Sequence, residues 1–339
     1  MPSLTKADID ALFAPVEGYR KLGLAVSGGP DSLALMLLAV QWAKGRAVEF
    51  HVYSVDHRLR PEAAAEAAMV ARESEALGLP ARVLRWEGDK PATGIQAAAR
   101  AARYRLMADA MAADGVEILL TAHHLGDQAE TVLMRLAHGS GIDGLRGMDR
   151  LSLVEGCEVA RPLLGVRPEI LREVVSEAGL RAASDPSNMD TKYERVRWRL
   201  MLPALEALGL SLERLGVFAR RMDEVGSLVH SEVEAHYREI VEPISASFMR
   251  LDARRFSTLN PAVATALLGQ VLSAVAGPGD RSPPLGALEL LARRLQHPDP
   301  LKGLTLHGCL VSRDGESILV RKEAPRRAAL KATDALMPN

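Results

Sequence analysis

Only two cysteines occur in the 339 residues, Cys157 and Cys309, and neither has a partner at metal-ligand spacing. That excludes a Cys-x-x-Cys zinc or redox site. One disulfide stays formally open, and two reduced, partly buried thiols are the expectation for a cytosolic chain. No apolar run approaches the length of a membrane span, because the longest are broken within a turn or two. The N-terminal stretch carries Lys6 and Asp8 early and has no apolar signal core. No secretory peptide is therefore read, and a cytoplasmic protein with no membrane partner is expected. Net charge is nearly absent too: the formal value of −1 does not advertise a nucleic-acid binder.

What is present suits a globular enzyme-sized chain. The 48% of hydrophobic and 25% of charged residues allow a substantial core, and the length favours two or three domains over one. Charge is uneven at the end. From Arg293 to Lys331, nine basic residues (Arg293, Arg294, Lys302, Arg313, Arg321, Lys322, Arg326, Arg327, Lys331) meet four acids (Asp299, Asp314, Glu316, Glu323). A solvated edge explains this plainly; a phosphate-contacting patch is the functional reading.

Strand and helix patterns alternate over the first 150 or so residues. Strands are expected at Leu22–Val26, Val48–Val55, Ala81–Trp86 and Val116–Thr121, and helices at Asp31–Ala43, Glu62–Leu77, Ile95–Ala113 and Gly126–Ala137. Such alternation implies an α/β fold with a parallel, doubly wound sheet covered on both faces. A looser stretch, Gly139–Pro162, precedes a helix at Pro168–Ala178 and a turn cluster at Ser184–Asn188. Helical spacing then runs from Arg195 to about Val241 and from about Leu251 to Gln296, interrupted by Gly277–Pro284. Leu304–Leu310 and Ser317–Val320 read as a small hairpin around Asp314-Gly315.

Ligands of such sheets bind beyond the C-terminal strand ends, where three polar segments converge: Ser27–Ser32, Asp56-His57 and His123–Glu130. Ser27-Gly28-Gly29-Pro30-Asp31-Ser32 joins the first strand to the first helix of the pattern. Glycines admit close backbone approach to a phosphate, and a helix N-terminus offers free N–H groups. Pro30 suits a first helical position, and Ser27 and Ser32 supply hydroxyls. Asp31 would repel phosphate unless a divalent cation sits between them. An ordinary Gly-rich turn is the plain alternative. The loop has no lysine and so is not the Gly-x4-Gly-Lys-Ser/Thr loop. Asp127 and Glu130 lie three apart on a helix, share a face, and point to the same sheet edge as Asp31. Together the three carboxylates suit a hard divalent cation held against phosphates; a zinc site on His123, Asp127 and Glu130 is the lesser alternative.

The six-residue string resembles the pyrophosphate loop of the N-type ATP pyrophosphatases. Further segments extend the resemblance: Val55-Asp56-His57-Arg58-Leu59-Arg60, Ala98–Tyr104, Thr121-Ala122-His123-His124 through Thr131, Gly139-Ser140-Gly141, Gly144-Leu145, Arg161-Pro162-Leu163-Leu164 and Asp185-Pro186-Ser187-Asn188. In this order, over roughly residues 20–205, they look like the tRNA(Ile)-lysidine synthetase family. Two departures stand out. Gly126 occupies the first of two positions where the family usually has adjacent aspartates, and Arg195-Val196-Arg197-Trp198-Arg199 replaces an Arg-Asn-x-Ile-Arg pattern.

The resemblance implies an adenylation domain over 1–200 and a mainly helical tRNA-binding region with a small C-terminal hairpin over 201–339. It implies ATP and Mg²⁺ as co-substrate and metal, and tRNA(Ile) with a CAU anticodon and L-lysine as partners. Asp31, Asp127, Glu130, Arg103 and Arg195 become the expected catalytic residues. Ser27, Gly28, Gly29, Pro30, Asp31, Ser32 and His57 become nucleotide contacts, with His57 either touching the nucleotide or orienting a neighbour. Lysine would join the wobble cytidine through an adenylated intermediate, changing decoding from AUG to AUA. The rivals are a tRNA thiolase of the same superfamily, which would need reactive cysteines, and a non-catalytic nucleotide-binding regulator.

Overall fold

The structure is a computed structural model, described here for residues 4–91, 93–183, 190–277 and 283–323. The expected turn at Asp185–Asn188, and Arg326, Arg327 and Lys331 of the basic stretch, lie outside these residues. The chain forms two compact units, 1–223 and 224–339.

The first unit contains α1 (Lys6–Phe13), β1 (Lys21–Ala25), α2 (Pro30–Ala43), β2 (Glu49–Asp56), α3 (Glu62–Ala76), β3 (Ala81–Arg85), α4 (Ile95–Asp114), β4 (Ile118–Leu120) and α5 (Leu125–Ala137). There follow the short α6 (Ile142–Leu145), β5 (Leu151–Val154), β6 (Cys157–Ala160), α7 (Pro168–Glu177) and α8 (Glu194–Ala207). The sheet order is β3-β2-β1-β4-β6-β5, parallel except for the β5–β6 pair. The chain steps outward from β1 through β2 to β3, then returns to the other side of β1 for β4. The order therefore reverses between β1 and β4, and a crevice opens at their C-terminal ends.

Both faces of the sheet are covered. Leu22 and Leu24 of β1 are fully buried. Helix α2 has little amphipathic character, because it is enclosed: Leu33, Ala34, Leu35, Met36 and Leu38 are all buried, and α7 packs against it. Phe13 of α1 stacks on Trp42 at a ring separation of 5.1 Å. Each such large apolar side chain contributes about 1.5–3 kcal/mol by leaving water, which fixes the crevice-forming strand ends against a stiff floor.

The stretch expected to be loose, Gly139–Pro162, instead supplies β5 and β6, which widen the sheet. Glu155 (φ 48°) and Gly156 (φ 79°) form a two-residue turn with both residues left-handed, which matches the twist of a hairpin. Each strand is only four residues long, so the alternation in Leu151–Val154 and Cys157–Ala160 is too brief to stand out. Position 200 lies inside α8, whose Trp198, Leu202 and Leu205 pack with Leu125, Ala129 and Val132 of α5. The long helical pattern from Arg195 is broken at Gly209 (φ 92°) into α8 and α9 (Leu212–Ile240).

The second unit contains β7 (Val241–Ser245), β8 (Phe248–Asp252), α10 (Ala253–Ser257), α11 (Pro261–Ala276), α12 (Leu285–Gln296), β9 (Leu301–Leu306), β10 (Cys309–Asp314) and β11 (Ser317–Lys322). Its antiparallel sheet runs β7-β8-β11-β10-β9. Leu251, expected to begin a helix, belongs to β8, where burial alternates with Met249 and Leu251 inward. The hairpin around Asp314-Gly315 is β10–β11. The expected strand Leu304–Leu310 is divided by a turn at His307 (φ 53°) and Gly308 (φ 68°). Cys157 and Cys309 are free, buried, and in different units, and burial pushes both thiols up.

Glu155 tests the hairpin assignment. A side chain in the left-handed region costs about 1–2 kcal/mol, less for Asn. Glu155→Asn should therefore stabilise the first unit by about 0.5–1 kcal/mol, read as a higher urea midpoint. A lower midpoint would remove the left-handed turn.

Candidate active site

The loop after β1 is held open by its own backbone. Gly28 has φ 87°, and a Cβ there would stand 3.1 Å from Met69 Cε. Its carbonyl accepts the Ala183 N–H at 2.8 Å. The hydroxyl of Ser32 braces the loop from inside: it accepts the Ser27 N–H at 3.1 Å and donates to the Gly29 carbonyl at 2.9 Å. Ser32 is buried and Ser27 is exposed, so the two serines divide the work expected of both. Gly29 is the N-cap of α2 with no side-chain cap, and Pro30 follows at the first turn. The uncapped first turn presents N–H groups and the positive helix end to the crevice.

Across the crevice, β4 leads into α5 through His123 and His124. His124 is the N-cap of α5. Its Nδ1 accepts the N–H of Gly126 at 3.0 Å and of Asp127 at 3.3 Å, while Asp127 Oδ2 accepts the His124 N–H at 3.0 Å. With Nδ1 accepting, the ring proton sits on Nε2. Nε2 lies 3.6 Å from Asp31 Oδ2 and 3.5 Å from Asp127 Oδ2. One imidazole N–H thus faces two carboxylates from different strands. Burial disfavours a charge on this ring, but the Asp31 hydrogen bond and the charges of Asp127, Asp31 and Glu130 outweigh it and raise the pKa. A second proton would enter at Nδ1 and break both backbone N–H bonds, so the ring that caps α5 is the neutral one.

Gly126 belongs to the same arrangement. A Cβ on residue 126 would stand 2.9 Å from His124 Cε1 and 3.1 Å from Nδ1. The ring lies where a side chain at 126 would enter, so a larger residue there requires the ring to shift.

Glu130 departs from its expected role. It is 1% exposed. Its Oε2 accepts from Arg195 Nε at 2.8 Å, and its Oε1 from Arg199 Nε at 2.6 Å. Arg195 and Arg199 also approach Asp127 Oδ1 at 3.8 and 3.7 Å. Both Glu130 oxygens are thus taken by guanidiniums, and the three carboxylates expected to hold Mg²⁺ do not form one cluster. Among the described residues no group of three or more His, Cys, Asp or Glu side chains is arranged to hold a metal ion, which also removes the His123, Asp127 and Glu130 zinc alternative. Asp31 and Asp127 remain as a pair facing one space, a donor set suited to a hard cation whose other ligands are waters and phosphate oxygens. Arg199 and His124 are functional side chains that spacing alone did not single out. The signal for His124 was its place one residue before the helix.

Arg103, on α4, is largely enclosed; its Nε has no partner, and burial pushes its pKa down. The guanidiniums of Arg100 and Arg103 lie 5.0 and 5.3 Å from the Tyr104 ring centre. His57 stands edge-on to Trp86, with ring centres 6.1 Å apart. Its Nδ1 is buried without a partner, and burial followed by the Arg103 charge lowers its pKa. A cavity of about 480 Å³ opens beyond β2 and β3, lined by Asp56, Arg58, Arg60 and Arg85 among others. It lies to the side of the phosphate loop, beyond the strands next to β1. His123 donates to or accepts from Thr121 Oγ1 at 2.9 Å, and burial, with the Arg161, Arg195 and Arg100 charges, lowers its pKa to about 3.

A glycine-braced loop, an uncapped helix end and paired carboxylates at a topological switch define a nucleotide-cleaving site of the pyrophosphate-loop class. Residues 2–205 match the family described as PP-loop domain. The chain is 43% identical to the tRNA(Ile)-lysidine synthase of Rhodopseudomonas palustris, over 94% of this chain and 95% of that protein. It is 42% identical to the tRNA(Ile)-lysidine synthase of Methylobacterium nodulans, over 90% and 91%. The chain belongs to the tRNA(Ile)-lysidine synthase family. Among solved structures, a U34-tRNA thiolase from Methanococcus maripaludis, with its [4Fe-4S] cluster, shares the fold. Its TM-score is 0.56 at 15% identity, covering 65% of this chain and 78% of that one.

Two predictions follow from the geometry around α5. Gly126→Asp should displace the His124 ring and remove a cap worth about 0.5–2 kcal/mol; unchanged stability would mean the ring has room. His123 carries a folded pKa below its unfolded one, so the unfolded chain binds the extra proton and stability falls as pH drops from about 6.5 toward 3. His123→Gln should flatten the stability curve between about pH 6.5 and 3, measured by urea titration. A curve as steep as before would place this proton elsewhere.

Proposed function

We propose that this protein is a ligase that uses ATP to attach L-lysine to C2 of the wobble cytidine in the CAU anticodon of tRNA(Ile), in the cytoplasm, releasing AMP and diphosphate. The observation that carries the reading is the pair Asp31 and Asp127, facing one space across the His124 N–H, opposite the uncapped end of α2. The loop backbone and Ser27 would hold the β and γ phosphates, with Ser32 keeping the loop in shape. Asp31 and Asp127 would hold Mg²⁺, whose contribution when bound is to offset phosphate charge at the scission point. The cytidine O2 attacks the α phosphorus and pyrophosphate leaves. The lysine amine then attacks C2, gives up a proton, and AMP departs with the former O2. Arg195 and Arg103 are placed to meet the negative charge of the α phosphate.

Glu130 supports this site through Arg195 and Arg199 rather than through the metal. Sulfur transfer finds no suitable thiol, since Cys157 and Cys309 are buried with raised pKa values. Of the basic stretch near the C-terminus, Arg313 is buried and donates to the Leu295 and His297 carbonyls, and Lys322 donates to the Ala276 carbonyl. The exposed Arg293, Arg294 and Lys302 are better placed for tRNA phosphates.

Incubating protein, ATP, bulk tRNA and radiolabelled lysine should place label in tRNA, and absence of label sinks the assignment. Asp31→Ala and Asp127→Ala should abolish tRNA-dependent pyrophosphate release while the fold survives. Glu130→Gln should behave differently. It takes the carboxylate from two guanidiniums that are 39% and 42% exposed, a loss of about 1–2 kcal/mol in stability. Wild-type stability in Glu130→Gln, with activity lost, would return Glu130 to the metal.

A further inference from the structure

Arg161 follows β6, on the far side of β4 from the phosphate loop. It is 5% exposed. One nitrogen, Nη1, donates to the Asp149 carbonyl at 2.7 Å and to Ser152 Oγ at 2.8 Å, both neutral acceptors, and Nε has no partner. Among the described residues it makes no ion pair. Next to it, Tyr104 is fully buried with an unpartnered hydroxyl, and Arg103 Nε is also unpartnered. Burial lowers the pKa of both arginines, as expected for cations without a counter-charge. The nearest carboxylate, Asp149, favours the Arg161 charge but is itself paired with Arg146 at 3.2 Å. His123 is held neutral, Arg100 is a further cation, and Asp127 is engaged by His124, Arg195 and Arg199.

Buried charges are normally paired, because desolvating a lone cation is costly. Arg161 Nε, Arg103 Nε and the Tyr104 hydroxyl are left without an acceptor. The complement is a planar oxyanion, which guanidinium N–H groups and a phenol O–H bind by charge-assisted hydrogen bonds. The triphosphate already has its own donors at β1. Strands lie about 4.8 Å apart, so β6, two strands away, stands roughly 10 Å from that loop. We propose that Arg161, with the Tyr104 hydroxyl, binds the α-carboxylate of the amino-acid substrate. This rests on the reading that lysine is the group transferred.

The test compares L-lysine with cadaverine, which keeps the chain and both amines but lacks the carboxylate. Wild-type protein, Arg161→Gln, Arg161→Lys and Tyr104→Phe are assayed with ATP and tRNA, with thermal melting as the fold control. Arg161→Gln should raise KM for lysine on the order of 10- to 100-fold, the span of one hydrogen bond to a charged group. KM for cadaverine and for ATP should stay as in wild type, and Arg161→Lys should recover part of the loss. Tyr104→Phe removes only an unpartnered hydroxyl, so it should fold normally and still raise KM for lysine by about tenfold. A wild-type preference for lysine over cadaverine in both Arg161→Gln and Tyr104→Phe overturns the proposal. So does a rise in KM for ATP instead, which would give the oxyanion to a phosphate. If the wild-type protein releases pyrophosphate but attaches no lysine, the functional reading itself fails and the carboxylate site goes with it.

Discussion

Two carboxylates must share one space at the reversal of strand order, and the first unit is arranged around that repulsion. Both carboxylates lie within 3.6 Å of one imidazole nitrogen, close enough that their charges repel. Asp31 comes from the start of α2 and Asp127 from the first turn of α5, so the repulsion acts between two helices that follow adjacent strands. The His124 N–H reaches both, and Arg195 and Arg199 approach Asp127 from behind. The compensation supplied by the protein is partial, and on the proposed reading a cation bound between the two carboxylates would complete it.

The same compensation ties distant segments of the chain together. Glu130 lies one helical turn beyond Asp127 and anchors both arginines of α8. Apolar packing of Trp198, Leu202 and Leu205 of α8 with α5 surrounds that ionic contact. Breaking it would leave a buried charge unpaired, which costs more than the pair itself contributes. Helix α8 is thus held at the residue one turn beyond Asp127, and the positions of Arg195 and Arg199 depend on Glu130.

What could be read in the sequence, and what could not, follows the range of the interactions. The phosphate loop, the α/β alternation and the placement of Asp31 and Asp127 are local or near-local features, carried by glycines, by strand-to-helix junctions and by i, i+3 spacing. Glu130 has the same spacing signal as Asp127, but its role depends on Arg195 and Arg199, more than sixty residues away. Nothing within one helix distinguishes a carboxylate facing a metal from one facing two guanidiniums. Strands β5 and β6 were hidden because four residues are too few to establish a period, although the Glu155-Gly156 turn was visible. Leu251 went to a helix because isolated apolar residues fit a period of 3.6 as well as one of 2 until the partner strands are known.

Gly126 joins these scales. Read along the chain, it is a missing acid beside Asp127. In three dimensions it is the vacant side of a turn into which the His124 ring folds, and only there can Nδ1 accept two backbone N–H groups while Nε2 faces Asp31 and Asp127. A second aspartate would add negative charge and displace the ring that offsets it. Omitting that acid and placing the imidazole there therefore act in the same direction: both lower the charge to be balanced before a cation binds.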